Sequence, residues 1–530
     1  MNAYYPADLS AADLAPAAEP AATAPSPATG AAGQDRAGRA PVRWIALIAV
    51  AAFAVEMAVS ARYGYVRDEL YFLACGQHLA FGYVDQPPLT PLLARLSAVL
   101  SGDSLVALRV IPALVMAAMV ALTAYMSRLL GAGRTGQVLA ALAAATSGEY
   151  VAAMHELTTT VPDFFFWTVT LVLVLKLLTS GDRRWWVAIG ACAGVAAEAK
   201  WNIGFLLVAL AVGFALTPAR RLAASRWLAL GALLAVALAL PDLVWQAAHG
   251  WPAFDVFARL QQDAGHNRAV YVIAQIVYTS LVLTPVWVAG LIWSLRNPDA
   301  RRFRAVGIAS LVVLFMFGVL GGKPYYPGAI FTFLLAAGSV PLERWLAARR
   351  PRARRIRPAV AMGCAMVLAT LIALPALLPV LPARVLHTVP LQKLDYDLGE
   401  EIAWPKLVGL VARDYHALPP ALRSRTTVLT SNYGEAGAID RFGPADGLPT
   451  PYSGDNNFWL WGPPPARDTS AIAVGIPPRY LRREFAHVRR ISTFYNGLGV
   501  ADDEQGAAIY LATGLRSSWA KAWPAFRYYG

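Results

Sequence analysis

The sequence predicts a mainly α-helical protein that crosses a membrane many times and ends in a small α/β domain. Three observations carry this. Hydrophobic residues make up 57% of the 530 and charged residues only 15%, whereas a soluble chain is usually about a quarter charged. Apolar runs long enough to span a bilayer recur as far as residue 381 and then stop. Beyond them the pattern changes to one amphipathic helix over Gly399–Ala417 and four β-rich runs, TTVLTSN (426–432), AIAVGI (471–476), VRRISTF (488–494) and AAIYLAT (507–513).

Composition also excludes some functions. The net charge of +13 sits in short clusters between apolar runs, as membrane topology requires, and there is no basic domain or zinc or helix-turn-helix spacing. No nucleic-acid partner is expected. Cys75, Cys192 and Cys364 are scattered, with no CxxC, and read as structural thiols.

Residues 1–40, rich in Ala and Pro, read as a disordered cytoplasmic tail with no signal peptide. The membrane domain is assigned to 41–381 and an extracytoplasmic α/β domain to 382–530. About eleven spans are expected, near 42–61, 104–130, 136–154, 162–179, 185–199, 201–217, 227–246, 270–295, 305–320, 327–346 and 358–381. Every even-numbered span exits into arginines or lysines: Arg128 and Arg134, then Lys176, Arg183 and Arg184, then Arg220, Arg221 and Arg226, then Arg296 to Arg304, then Arg344 to Arg357. Positive residues stay inside, so the odd-numbered exits face outward. Those outward loops are 62–103, 155–163, the Lys200-Trp201-Asn202 junction, 247–269 and 321–328, and they gather polar and aromatic residues on one face.

The loop 62–103 carries Asp68-Glu69, a run of aromatic and apolar residues, and Asp85 ahead of Pro87-Pro88. Asp68 can be a helix cap or a carboxylate that accepts a proton from an incoming hydroxyl. Asp163 opens the run FFFW, where an acid caps the helix or serves a site, because an unpaired acid is costly there. Lys200 and Lys323 are cations on the outward side, where topology does not ask for them. Lys323 lies in GGKPYYPG with Tyr325 and Tyr326; it either snorkels to the interface or helps hold a lipid phosphate. Arg259 and Arg268 are weaker candidates of that kind. His155, Glu156, His249 and His266, with Asp85, could in principle hold a divalent ion, although their spacing matches no metal signature. No other cofactor is indicated.

Taken together, RDELYFLACGQHLAFGYVDQPPLTPLLARL, VPDFFFWTVTLVLVLKLL, EAKWNIGFLL and GGKPYYPGAIFTFLLAAG resemble the polytopic GT-C glycosyltransferases. The resemblance is to the bacterial relatives of protein O-mannosyltransferases and lipid A aminoarabinose transferases (glycosyltransferase family 39). NYGEAGAIDRFG and SGDNNFWLWGPP are similar to the outer domain of one bacterial subgroup. The resemblance implies transfer of a sugar from a polyprenyl-phosphate donor to a lipid, glycan or protein acceptor, on the outer face of the cytoplasmic membrane. It implies Asp68 as catalytic carboxylate, Glu69 completing the motif and Asp163 as a second acid. Lys323, Tyr325, Tyr326 and Lys200 would face the donor phosphate, and Asp85, His155 and Glu156 the substrate. Gln86 stands where the family usually has Lys or His. The alternative is a transporter or flippase of lipid-linked sugars; the absence of internal repeats and the gathering of acids on one face weigh against it.

Overall fold

The computed structural model describes residues 41–102, 104–348, 356–389 and 396–529. The tail expected over 1–40 and the arginine cluster beyond residue 348 fall outside the described residues. Most of the rest is helix. Among the described residues seven helices are long and apolar enough to cross a membrane: Val42–Val59, Leu105–Leu129, Thr160–Ser180, Arg226–Ala248, Pro298–Leu320, Ile330–Ala348 and Pro358–Leu377. Pro252–Thr279 and Thr284–Arg296 add an eighth if they form one span bent by 106°.

This corrects the expected count of about eleven. The third, fifth and sixth apolar runs fold as the short helices Arg134–Ala145, Trp185–Ala197 and Ile203–Ala215. At about 1.5 Å per residue such helices cover only about 20 Å, less than a hydrocarbon layer of about 30 Å. Hydropathy sees apolar runs and does not see where helices break. The eighth run breaks at Ser280, whose φ of 98° ends the helix Ala264–Thr279.

Small residues let these helices approach closely. A Cβ on Gly190 would lie 2.0 Å from the Gly231 carbonyl oxygen, and one on Gly338 would lie 2.0 Å from that of Val286. Between helices in lipid, such backbone contact supplies the packing that the hydrophobic effect does not.

The C-terminal domain is built on a five-stranded sheet of order β2-β1-β3-β5-β4. Its strands are β1 (Thr426–Thr430), β2 (Pro451–Ser453), β3 (Ser470–Val474), β4 (Phe485–Thr493) and β5 (Ala508–Leu515). β1 pairs in parallel with β2 and β3, while β5 runs antiparallel to both β3 and β4. The four β-rich runs of the sequence are β1, β3, β4 and β5; the three-residue β2 had too little pattern to read. The expected amphipathic helix is Trp404–His416, preceded by a separate turn Asp397–Glu400.

The helix Tyr433–Phe442, which follows β1, packs against the helix Arg67–Gln77 of the first long loop. Two glycines make room: Cβ atoms on Gly434 and Gly437 would lie 2.9 Å from Arg67 Cβ and 3.0 Å from the Leu70 backbone. The sheet domain is thereby seated on the loop that carries Asp68.

Candidate active site

The helix Arg67–Gln77 begins after Val66, so Asp68 and Glu69 both lie in its first turn. Glu69 performs the capping that the sequence left open for Asp68, since its Oε2 accepts from Val66 N at 3.1 Å. Asp68 is free to face the other way, and its Oδ1 accepts from Tyr433 Oη at 2.8 Å.

Glu69 is fully buried and its oxygens are occupied. Besides Val66 N, it accepts from Leu157 N at 3.2 Å and from Arg109 Nε and Nη2 at 3.1 and 2.9 Å. The same guanidinium reaches Ser60 O, Gly64 O, Glu401 Oε1 and His155 Nε2. His155 lies between Glu56 and Glu401, at 3.5 and 3.6 Å. Burial, followed by the neighbouring Arg109, holds its imidazole pKa well below the ordinary value. The Asp-Glu pair is therefore divided: Glu69 and His155 lie in a buried network around Arg109, and Asp68, half-buried, lies in a separate cluster of charged side chains.

Lys200 is the hub of that cluster. Its Nζ stands 4.6 Å above the Tyr326 ring and 5.6 Å from Tyr325. Burial depresses its pKa to about 8, with Asp163 and Asp68 opposing the shift and Lys323 adding to it. Four candidates taken from distant parts of the sequence thus share one electrostatic neighbourhood. Asp163 makes no capping bond and is 1% exposed; Asn202 Nδ2 donates to it at 3.4 Å. Lys323 is exposed and lies 6.0 Å from the Tyr325 ring.

The loop bearing these groups is held from beneath. Asn267 donates to Gly321 O at 3.0 Å, Gln275 to Pro324 O at 2.8 Å and Tyr150 to Gly328 O at 3.0 Å. A Cβ on Gly328 would lie 2.1 Å from Glu149 Oε1, so glycine is required for this close approach.

Asp85 accepts from Tyr71 Oη at 2.9 Å. Burial raises its pKa to about 7 and Asp68 adds to the rise. Gln86 beside it is buried, and neither polar atom of its amide has a hydrogen-bond partner. Glu156 does not meet His155 as a pair. Its electrostatic neighbour is instead Asp397, whose pKa burial raises to about 6, with Asp68 adding and Lys323 opposing. Burial, followed by Asp397, raises that of Glu156.

The remaining candidates lie apart. His249 is exposed and stacks on Trp245 at 4.0 Å. Arg259 stands 3.9 Å over the Tyr528 ring, and Arg268 donates to Val319 O at 2.8 Å. Among the described residues no three of His, Cys, Asp and Glu are grouped to hold a metal ion, so the suggested histidine set is not assembled.

Sequence reasoning missed Arg109, Tyr433 and Asp397. Arg109 lies in the second turn of the helix Leu105–Leu129 and belongs to no motif. Tyr433 and Asp397 reach the cluster only because the sheet domain docks. The signal available for Tyr433 was N-x-x-E at Asn432–Glu435, a capping box that marks a helix start: Asn432 Oδ1 accepts from Glu435 N at 2.8 Å.

Chemically, the cluster opposes a carboxylate held by one hydroxyl to two lysines and two tyrosines. Residues 85–245 match the family model of dolichyl-phosphate-mannose-protein mannosyltransferases. With seven or eight candidate spans, the described residues have the GT-C fold. The fold is similar to that of ArnT from Cupriavidus metallidurans, solved with undecaprenyl phosphate bound. That likeness has a TM-score of 0.55 at 16% identity, covering 89% of this chain and 98% of that one. The chain also resembles the arabinofuranosyltransferase AftD from Mycobacteria, with TM-score 0.48, 15% identity, and 90% of this chain against 40% of that one. A comparison with curated proteins gives no match.

Proposed function

We propose that this protein is a membrane glycosyltransferase that moves a sugar from a polyprenyl-phosphate carrier to an acceptor hydroxyl. The reading places the reaction on the outer face of the cytoplasmic membrane, with the N-terminus inside. The observation that carries it is the electrostatic neighbourhood that Asp68 shares with the cation and tyrosine set Lys200, Lys323, Tyr325 and Tyr326. A donor sugar phosphate already has a good leaving group, so the site needs a base for the nucleophile and positive charge for the departing phosphate.

In the proposed step the acceptor oxygen attacks the anomeric carbon while the bond to the phosphate oxygen breaks. The acceptor proton passes to the Asp68 carboxylate, and polyprenyl phosphate leaves with its charge held by Lys200, Lys323 and the two tyrosine hydroxyls. Attack from the side opposite the leaving group inverts the anomeric centre, as in inverting glycosidases. Asp163 orients Lys200. Asp85 and the unsatisfied amide of Gln86 offer hydrogen bonds to the sugar. Glu69 and His155 hold the loop in place and touch no substrate. The acceptor class is a glycolipid, an envelope glycan or a protein.

The test is to incubate the purified protein with a panel of undecaprenyl-phosphate-linked sugars and membrane extract. The transferase releases undecaprenyl phosphate, and Asp68→Asn does not. A flippase would move the intact donor between leaflets of a vesicle without releasing phosphate, and that result would replace this reading.

A further inference from the structure

The C-terminal domain reaches Asp68 directly and Asp85 through Tyr71. Tyr433 Oη donates to Asp68 Oδ1 at 2.8 Å. Tyr71 Oη, 2.9 Å from Asp85 Oδ1, also lies 3.2 Å from Asn457 Oδ1, and that oxygen accepts from Val84 N at 2.7 Å. The two tyrosine rings pack at 4.8 Å. Tyr433 is itself fixed, because its main-chain N donates to Asp455 Oδ2 at 3.1 Å, and Gly434 and Gly437 bring its helix against the Asp68 helix.

We propose that Tyr433 is a positioning residue for transfer: through its hydroxyl the C-terminal domain fixes the Asp68 carboxylate in the orientation that receives the acceptor proton. This deepens the preceding reading and rests on Asp68 as the base.

The physical argument is geometric. Asp68 lies in the first turn of a helix, and its side chain can rotate about two bonds. A base works only within hydrogen-bond reach of the proton it takes, and misplacement by about 1 Å can cost a hundredfold in rate. Glu69 gains its orientation from Arg109 and two main-chain amides. Asp68 has the Tyr433 hydroxyl in the corresponding role, and the other charged groups acting in its neighbourhood, Lys200, Asp85 and Asp397, set field more than direction. The domain is held in register by Arg67, which pairs with Glu400 at 2.8 Å and with Asp503.

The test uses Tyr433→Phe in the full-length protein, with the undecaprenyl-phosphate sugar that the wild type turns over. Phenylalanine keeps the ring packed on Tyr71 and removes only the hydroxyl, so Tm should match the wild type. The expected result is a fall in kcat of roughly ten- to a hundredfold, the range for one hydrogen bond to a charged group, with the donor KM unchanged. Wild-type kcat in Tyr433→Phe, or a loss confined to KM, would each overturn the proposal. If Asp68→Asn retains full turnover, or no sugar of the panel is used, the assignment of the base falls and this inference falls with it. Loss in Asp68→Asn beside wild-type behaviour in Tyr433→Phe overturns this inference alone.

Discussion

Replacing Arg109 by methionine should unseat the loop that carries Asp68. The guanidinium is 1% exposed and joins four parts of the chain: Ser60 and Gly64, Glu69, His155, and Glu401 of the C-terminal domain. Methionine fills much of the volume and removes every donor. Glu69, fully buried, would then have only the amides of Val66 and Leu157 for its charge. Breaking a buried pair by deleting one partner costs about 3–5 kcal/mol, because the other charge is stranded, which for a chain of this length corresponds to a fall in Tm of roughly 3–5 °C. Thermal unfolding of purified protein in detergent measures it. Lysine should recover less than half the loss, since one ammonium cannot reach both Glu69 oxygens and two carbonyls. Arg109→Met with Glu69→Gln should be more stable than Arg109→Met alone, because the stranded charge is gone. An Arg109→Met protein that melts with the wild type, or a double variant whose losses simply add, would refute this account of the network.

Other expectations follow from the same geometry. Arg67→Met removes the cation that faces Glu400, Asp503 and Glu504; it should loosen the C-terminal domain by about 1–3 kcal/mol, seen as faster limited proteolysis of that domain at unchanged Tm of the helical body. The pKa of Lys200 is lowered to about 8, chiefly by burial, so its ammonium is present below that pH and lost as pH rises through it. Accordingly kcat/KM for the donor should fall above about pH 8, and Lys200→Arg should extend the plateau upward; a wild-type profile level to pH 10 would contradict the phosphate role. Gly328→Ala forces a Cβ to within 2.1 Å of Glu149 Oε1, so the loop bearing Lys323, Tyr325 and Tyr326 must shift; donor KM should rise several-fold with little change in expression.

Much of the architecture was legible because membrane spans and half-buried strands announce themselves by pattern. Val42–Val59, Leu105–Leu129 and Thr160–Ser180 follow the apolar runs closely, and β1, β3, β4 and β5 follow theirs. Breaks inside apolar sequence were barely legible: the run that ends one helix at Ser280 bends by 106°, and its one mark is Pro285 in the first turn of the helix beyond. In the cluster, the lysines stood out because a cation on the wrong side of a membrane needs a reason. The roles of Asp68 and Glu69 could not be divided from sequence, since adjacent residues in a first turn point to different surroundings. Only Arg109, forty positions on, claims one of them. Tyr433 and Asp397 were out of reach because docking of two separately patterned regions is a tertiary fact. The capping box at Asn432–Glu435 and the glycines at 434 and 437 were readable as a helix start and a close-packed face, without naming the partner.

The most direct measurement is release of undecaprenyl phosphate from undecaprenyl-phosphate-linked sugars by the purified protein in lipid nanodiscs, with wild type and Asp68→Asn side by side. Acceptor-dependent release by the wild type, abolished in a variant that folds and binds the donor equally well, is the predicted result. Equal release by both, or none by either while the intact donor crosses the bilayer, would contradict the claim that the carboxylate and the lysines work together in one transfer step.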